Sequence, residues 1–234
     1  MERKNVNILL YVINKTEEIV YKNLNGTLIL FVRHGECEGN IKGLFRGRTD
    51  FPLNQRGHAQ VEDLGHELKN YLIQNIYSSP LARARQTAEA IAKQCNVKIK
   101  IEKNLNNIEL GNWEGLKKIR IAEQYPKEWN MWINTPETLE IDGMETLGNV
   151  QKRAKKCLDH LVKENRGKTF AIVSHRAVLK PLIAACLNMN SPYFWKIHLD
   201  TASYSLLSYN EDKGYCLIQH NQNKHLKEFV SEWA

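Results

Sequence analysis

Leu28-Ile29-Leu30-Phe31-Val32-Arg33-His34-Gly35-Glu36 is an apolar run that stops on an arginine, a histidine and a glycine. A short, continuous run of this kind suits a strand buried on both faces, as in the parallel sheets of α/β proteins. Phe170-Ala171-Ile172-Val173 repeats the arrangement and stops on Ser174-His175-Arg176. An imidazole at the mouth of a buried strand is badly placed for core packing. It is well placed for chemistry, since open α/β sheets bind ligands beyond the carboxyl ends of their strands. A lone histidine is more often structural. Two at matching strand ends, the first beside an arginine, point to an anion site with a nucleophile and a proton-handling partner.

The sequence around these runs alternates strand and helix from residue 27 onward. Val61, Leu64, Leu68 and Leu72 recur at helical spacing over 57–72. Residues 75–78 read as a short strand. Ser79-Pro80 then reads as a helix start, with serine as cap and proline in the first turn, and Leu81, Ala84, Ala88, Ile91 and Cys95 form the buried stripe. A strand is expected over 97–101 and an amphipathic helix over 146–162. A further helix follows His175, with Val178, Leu182 and Cys186 inward. Two strands, 205–209 and 215–220, close the chain as a hairpin around Asn210-Glu211-Asp212-Lys213-Gly214. Such alternation argues for a largely parallel sheet covered by helices on both faces. Residues 1–26 read as an appendage, a β-hairpin adding edge strands to the domain of residues 27–234. Residues 115–143, with Tyr125, Trp129 and Trp132, are either a helical pair packed on that domain or a cap over the site.

Composition narrows the functional classes. The chain has 234 residues, 42% hydrophobic and 25% charged, the balance of an ordinary globular protein. No stretch approaches the ~18 consecutive apolar residues of a membrane span. The five cysteines are scattered, and none is spaced as a zinc or redox motif, which fits a cytoplasmic setting. Net charge is +7, but lysines and arginines alternate with acids and form no long basic run. That argues against nucleic acid and for a field that steers a small anionic substrate.

Four segments can converge at one end of the sheet: Arg33-His34-Gly35 with Asn40; Arg46 and Arg48 in the next loop; Arg83; and His175. Guanidinium forks, imidazoles and an amide suit a phosphoryl group. Neither histidine has a partner at metal-ligand spacing.

The chain resembles the histidine phosphatase superfamily in its phosphoglycerate-mutase-like branch. The matching strings are Arg33-His34-Gly35-Glu36 with Asn40, Asp50-Phe51-Pro52-Leu53 with Gly57, and Ser79-Pro80-Leu81-Ala82-Arg83-Ala84-Arg85-Gln86-Thr87. Leu110-Gly111-Asn112-Trp113-Glu114-Gly115 and Ser174-His175 follow in order. The resemblance implies a three-layer α/β/α sandwich with a mostly parallel central sheet. It also implies a phosphatase that hydrolyses a small phosphomonoester through a phosphohistidine on His34. Arg33, Arg83 and His175 would form the phosphate pocket, Asn40 an additional donor and Arg46 a substrate contact, with no metal or organic cofactor.

Two positions depart from the family pattern. The family carries a glutamate, its general acid and base, where this chain has Asn107. Asparagine cannot protonate a leaving alkoxide. Glu109, on the same face if the backbone is extended, either takes over the acid role or is a solvated surface glutamate. Arg176 stands where close relatives generally carry glycine. Its side chain either turns to solvent or forms a cation at the pocket rim that selects a second negative group. Three alternatives follow: a mutase, disfavoured because 116–145 is too short for the mutase insertion; a catalytically impaired phosphate-binding relative; or an engineered replacement at Asn107 that traps substrate.

Overall fold

All seven residues of β1 (Thr27–Arg33) are buried, as a strand with helices on both sides requires. The computed structural model describes residues 26–229, so all but the last residue of the expected N-terminal hairpin lies outside the described residues. After β1 come α1 (Glu38–Ile41), α2 (Gln55–Leu68), β2 (Asn75–Ser78), α3 (Ala82–Cys95) and β3 (Ile99–Ile101). Next are α4 (Lys118–Gln124), α5 (Pro126–Asn134), α6 (Leu147–Glu164), β4 (Thr169–Ser174) and α7 (Arg176–Cys186). The hairpin β5 (Tyr204–Asn210) and β6 (Gly214–Gln222) completes the fold.

The strands form one mixed sheet in the order β3-β2-β4-β1-β5-β6. The first four run parallel, and β5 and β6 are antiparallel. Asn210 caps the hairpin turn, its side-chain oxygen accepting from the Asp212 amide at 2.8 Å. Alternation along the strands separates two cores. Ile29, Phe31, Phe170 and Ile172 pack with Val150, Ala154, Leu158, Val178 and Leu182, from α6 and α7. Leu28, Leu30, Val32, Ala171 and Val173 pack with Val61, Leu64, Ala84, Ala88 and Ile91, from α2 and α3. The architecture is the expected three-layer α/β/α sandwich.

The start of α3 differs from the sequence expectation. The helix begins at Ala82, with Leu81 as N-cap residue. The cap is supplied from a distant loop: Asp50 Oδ1 accepts from the Ala82 amide at 2.7 Å. The Ser79 hydroxyl lies 2.7 Å from His175 Nε2 and accepts from the Leu81 amide at 3.4 Å. Residues 118–134 form two helices, α4 and α5, and contribute Lys118 and Trp132 to the wall of a cavity. Trp132 joins Phe45, Trp113 and Phe194 in the upper core, with ring separations of 5.2 to 6.5 Å. Gly57 lets α2 approach the loop after β1, because a Cβ there would run into the Glu36 carbonyl.

Candidate active site

Strand register brings the two histidines together. β1 and β4 pair one to one, with Val32 opposite Val173 and Arg33 opposite Ser174. The next residue on each strand is therefore a histidine. The His34 amide donates to the Ser174 carbonyl at 3.1 Å, and the two imidazole centroids are 5.1 Å apart. Both residues are 1% exposed and line one cavity.

Hydrogen bonding decides which nitrogen of His34 faces the site. Nδ1 lies 2.7 Å from the Gly35 carbonyl. A carbonyl only accepts, so Nδ1 carries the proton and the Nε2 lone pair is left for chemistry. Burial, then the charges of Arg83, Arg33 and Arg46, hold the His34 pKa well below its ordinary value, so this imidazole is neutral near pH 7. Burial and the same arginines depress His175 likewise. His175 Nδ1 is buried with no partner among the described residues. When Ser79 donates to Nε2, Nδ1 carries the proton and can donate to an oxyanion.

The guanidinium groups are fixed by backbone carbonyls. Arg33, fully buried, donates from Nη1 to Leu199 at 2.7 Å. Arg83, also fully buried, donates from Nη1 to Thr49 and from Nη2 to Gly47, both at 3.0 Å. Burial and neighbouring Arg46 push the Arg83 pKa down to about 10, which still leaves it charged at neutral pH. Arg46 itself lines the cavity, whereas the fully buried Arg33 and Arg83 are not among its lining residues. The Gly35 amide donates to Thr87 Oγ1 at 3.1 Å, and that hydroxyl donates to the Arg83 carbonyl at 2.7 Å. The loop after β1 is thus tied to α3.

Other expected site residues divide. Asn107 lines the cavity, its Nδ2 donating to the Gly47 carbonyl at 2.7 Å and its Oδ1 buried without a partner among the described residues. Arg176 also lines the cavity, its guanidinium 5.8 Å from the Trp195 ring centre; it is not simply turned to solvent. Asn40 is absent from the lining. Its Oδ1 accepts from the Cys37 amide and thiol, both at 3.0 Å, which closes the turn of α1. Glu109 is exposed, outside the cavity lining, and pairs with Arg48 at 2.9 Å. Exposed pairs contribute about 0–1 kcal/mol, so Glu109→Gln is expected to change turnover by less than ~5-fold in steady-state assays with alkyl phosphates. A loss of ~10² or more would restore Glu109 as the acid.

The structure adds residues that the sequence did not single out. Lys118, Phe45 and Phe194 contribute to the wall, beside Trp132 from the stretch read as a helical pair or a cap, and Ser79 holds His175. Ser79 was visible as a helix-start residue and at the head of one matching string, and Lys118 carries no local signal at all. The cavity has a volume of about 60 Å³ and lies beyond the carboxyl ends of β1 and β4 as the switch-point rule requires.

Comparison with known proteins agrees with this geometry. Residues 29–222 match the family model of the histidine phosphatase superfamily, branch 1. The chain is 33% identical over 204 residues to phosphoserine phosphatase 1 of Hydrogenobacter thermophilus, covering 87% of this chain and 96% of that protein. It is 26% identical to the adenosylcobalamin/alpha-ribazole phosphatase of Escherichia coli, over 77% of this chain and 89% of the other. Among solved structures, Bacillus stearothermophilus YhfR superposes with a TM-score of 0.82 at 26% identity, covering 86% of this chain and all (100%) of that one. Phosphoserine phosphatase of Entamoeba histolytica, in complex with 3-phosphoglyceric acid, gives 0.77 at 27% identity, covering 86% and 99%.

Proposed function

The chain belongs to the histidine phosphatase superfamily, and from that premise we propose that it hydrolyses a small phosphorylated metabolite through a covalent phosphohistidine on His34. The single observation that carries the assignment is the orientation of His34. Its Nδ1 proton is committed to Gly35, and its buried Nε2 is left unprotonated among arginines. A neutral imidazole attacks phosphorus with that lone pair. Arg33, Arg83 and Arg46 would stabilise the charge that spreads over the transferring oxygens, with His175 as a further donor. Water then breaks the phosphorus–nitrogen bond and returns His34 to its starting form.

Phosphoserine phosphatase and alpha-ribazole phosphatase are relatives named for small phosphorylated substrates, and the cation-rich cavity suits the same class. A cytoplasmic setting fits the five free cysteines. No helix among the described residues is long and apolar enough to cross a membrane. The short helices α4 and α5 occupy the stretch where a mutase would carry its insertion, which supports a phosphatase over a phosphotransferase. Asn107 favours one second reading, a phosphate-binding relative with impaired turnover, because an amide replaces the expected acid in the cavity wall.

Inorganic phosphate release from a panel of phosphorylated metabolites, measured against pH, tests the proposal. The base that attacks is neutral above its depressed pKa and is lost only below it. The acid limb of kcat/KM is therefore expected below the ordinary histidine pKa of about 6.5, with activity retained as pH falls through that value. Vanadate should inhibit competitively. No phosphate release and no stabilisation by vanadate would end the functional reading; vanadate binding without turnover would favour the impaired relative.

A further inference from the structure

The Asn107 side chain holds one oxygen in the cavity wall that has no donor among the described residues. The residue is only 8% exposed, and its backbone is fixed. The amide donates to Asn106 Oδ1 at 2.8 Å, and the carbonyl accepts from Arg48 Nε and Arg153 Nη2, both at 3.2 Å. Its side-chain Nδ2 donates to the Gly47 carbonyl at 2.7 Å. A carbonyl only accepts, so the amide group cannot be turned over, and Oδ1 is necessarily the atom left facing the site. A buried acceptor that has given up water without gaining a donor is costly. Such an atom calls for a ligand that brings the donor.

Its surroundings say which part of a ligand it meets. The Gly47 carbonyl that receives Asn107 also accepts from Arg83 Nη2 at 3.0 Å, so the amide and that guanidinium are neighbours across one oxygen. His34 and His175 line the cavity with Asn107. With about 60 Å³ available, a phosphoryl group seated at His34 Nε2 lies against the other polar groups of the wall. Among the described residues no carboxylate lines the cavity, and the acceptor is an uncharged amide that does not repel an anion as a full charge would. A dianionic phosphoryl group presents three bare oxygens. Each is an acceptor, and acceptor against acceptor leaves Oδ1 unsatisfied. A monoanion has one protonated oxygen, and that hydroxyl is a donor.

We propose that the site takes up phosphoryl groups as their monoanion, with Asn107 Oδ1 accepting from the one protonated oxygen, and that Asn107 thereby excludes tetrahedral anions that carry no proton. The inference rests on the phosphatase reading above, which seats the phosphoryl group at His34. His175 complements the arrangement: with Ser79 donating to its Nε2, the Nδ1 donor meets a bare oxygen of the same group. Asn107 is then a specificity-determining residue. A site built to hydrogen-bond a hydroxyl rejects an analogue without one far more strongly than shape alone could.

The test is calorimetric titration of the full chain with methylphosphonate and with methanesulfonate. At about pH 6 both are monoanions of one shape, and only the phosphonate carries a hydroxyl. Methylphosphonate should bind ~10²-fold or more tightly. Asn107→Ala, which removes the acceptor, should shrink that ratio by ~10-fold or more. On the native chain the ratio should also fall, by about tenfold per pH unit, once the pH passes the second pKa of the phosphonate and its monoanion is depleted. Dividing by the sulfonate cancels titration of His34, His175, Arg46, Lys118 and Arg176, the charged and titratable side chains that share the cavity. Should Asn107→Ala fold poorly, the native pH series decides alone. A native ratio within ~3-fold of one, a ratio unchanged in Asn107→Ala, or a ratio that rises with pH overturns the proposal. Phosphohistidine still trapped on His34 would then leave the phosphatase reading standing. Neither anion bound, with no phosphohistidine from any substrate, overturns both.

Discussion

His34→Ala is expected to lower phosphate release by ~10⁴-fold or more, because removing the nucleophile of a covalent mechanism costs nearly all of its acceleration. Alkaline quench after incubation with a labelled substrate should trap an acid-labile phosphohistidine in the native chain and none in the variant. The fold should survive the change. The backbone of residue 34 keeps its bonds to Ser174 and Ala202, and among the described residues the side chain's hydrogen bond is to the adjacent Gly35 carbonyl. Label that persists in His34→Ala would place the nucleophile elsewhere. His175 would be the first alternative, since it lines the same cavity and has a buried nitrogen without a partner among the described residues.

Arg83→Met should cost ~10²–10³ in kcat/KM, the scale of losing one preorganised charge at a transition state. The effect has two physical sources. One is loss of the charge that ranks first among those acting on both histidines. The other is release of the loop carbonyls of Gly47 and Thr49. Gly47 also receives the Asn107 amide, so the loop that carries Arg46 would move with it. Arg83→Lys separates these sources. A lysine keeps a charge but lacks the planar fork that spans two carbonyls, so it should recover part of the rate and less of the order in residues 46–49. The readout is kcat/KM beside thermal stability of both variants. A loss below ~3-fold in Arg83→Met would remove Arg83 from the phosphate pocket, whatever the scale of the transition-state term.

Much of the architecture was legible because it is written in local periodicity. Continuous apolar runs marked β1 and β4, helical spacing marked α2, α3, α6 and α7, and a polar turn marked the β5–β6 hairpin. The misplacement of the α3 start shows the limit of that reading. Serine followed by proline is a sound cap signal, yet Ser79 Oγ lies against His175 and Asp50 reaches in from another loop to cap the helix. Local propensity cannot reveal that a hydroxyl is claimed by a residue far along the chain.

The site divides in the same way. His34, His175 and Asn107, which line the cavity, and the buried Arg33 and Arg83, which do not, could all be named from strings of residues, because their backbone positions follow from the elements that carry them. Asn40 could be named too, but the use of its side-chain oxygen in a turn could not. Glu109 and Asn107, two residues apart, pointed equally toward the site on extended geometry. Packing turned Asn107 into the cavity and Glu109 out to Arg48. Lys118 arrived from a helix with no motif, because cavity walls are made by whichever elements pack beside them.

By itself the sequence determined the elements, their alternation and the two strand ends that carry histidines, since apolar periodicity and backbone preference act over a few residues. Only the tertiary structure decided that β1 and β4 pair in register so that the two imidazoles meet, and that the Nδ1 proton of His34 goes to Gly35. It also decided that no described carboxylate reaches the cavity. Those outcomes depend on which groups remain unsatisfied once distant segments pack, and that energy balance is settled only when the whole sheet is assembled.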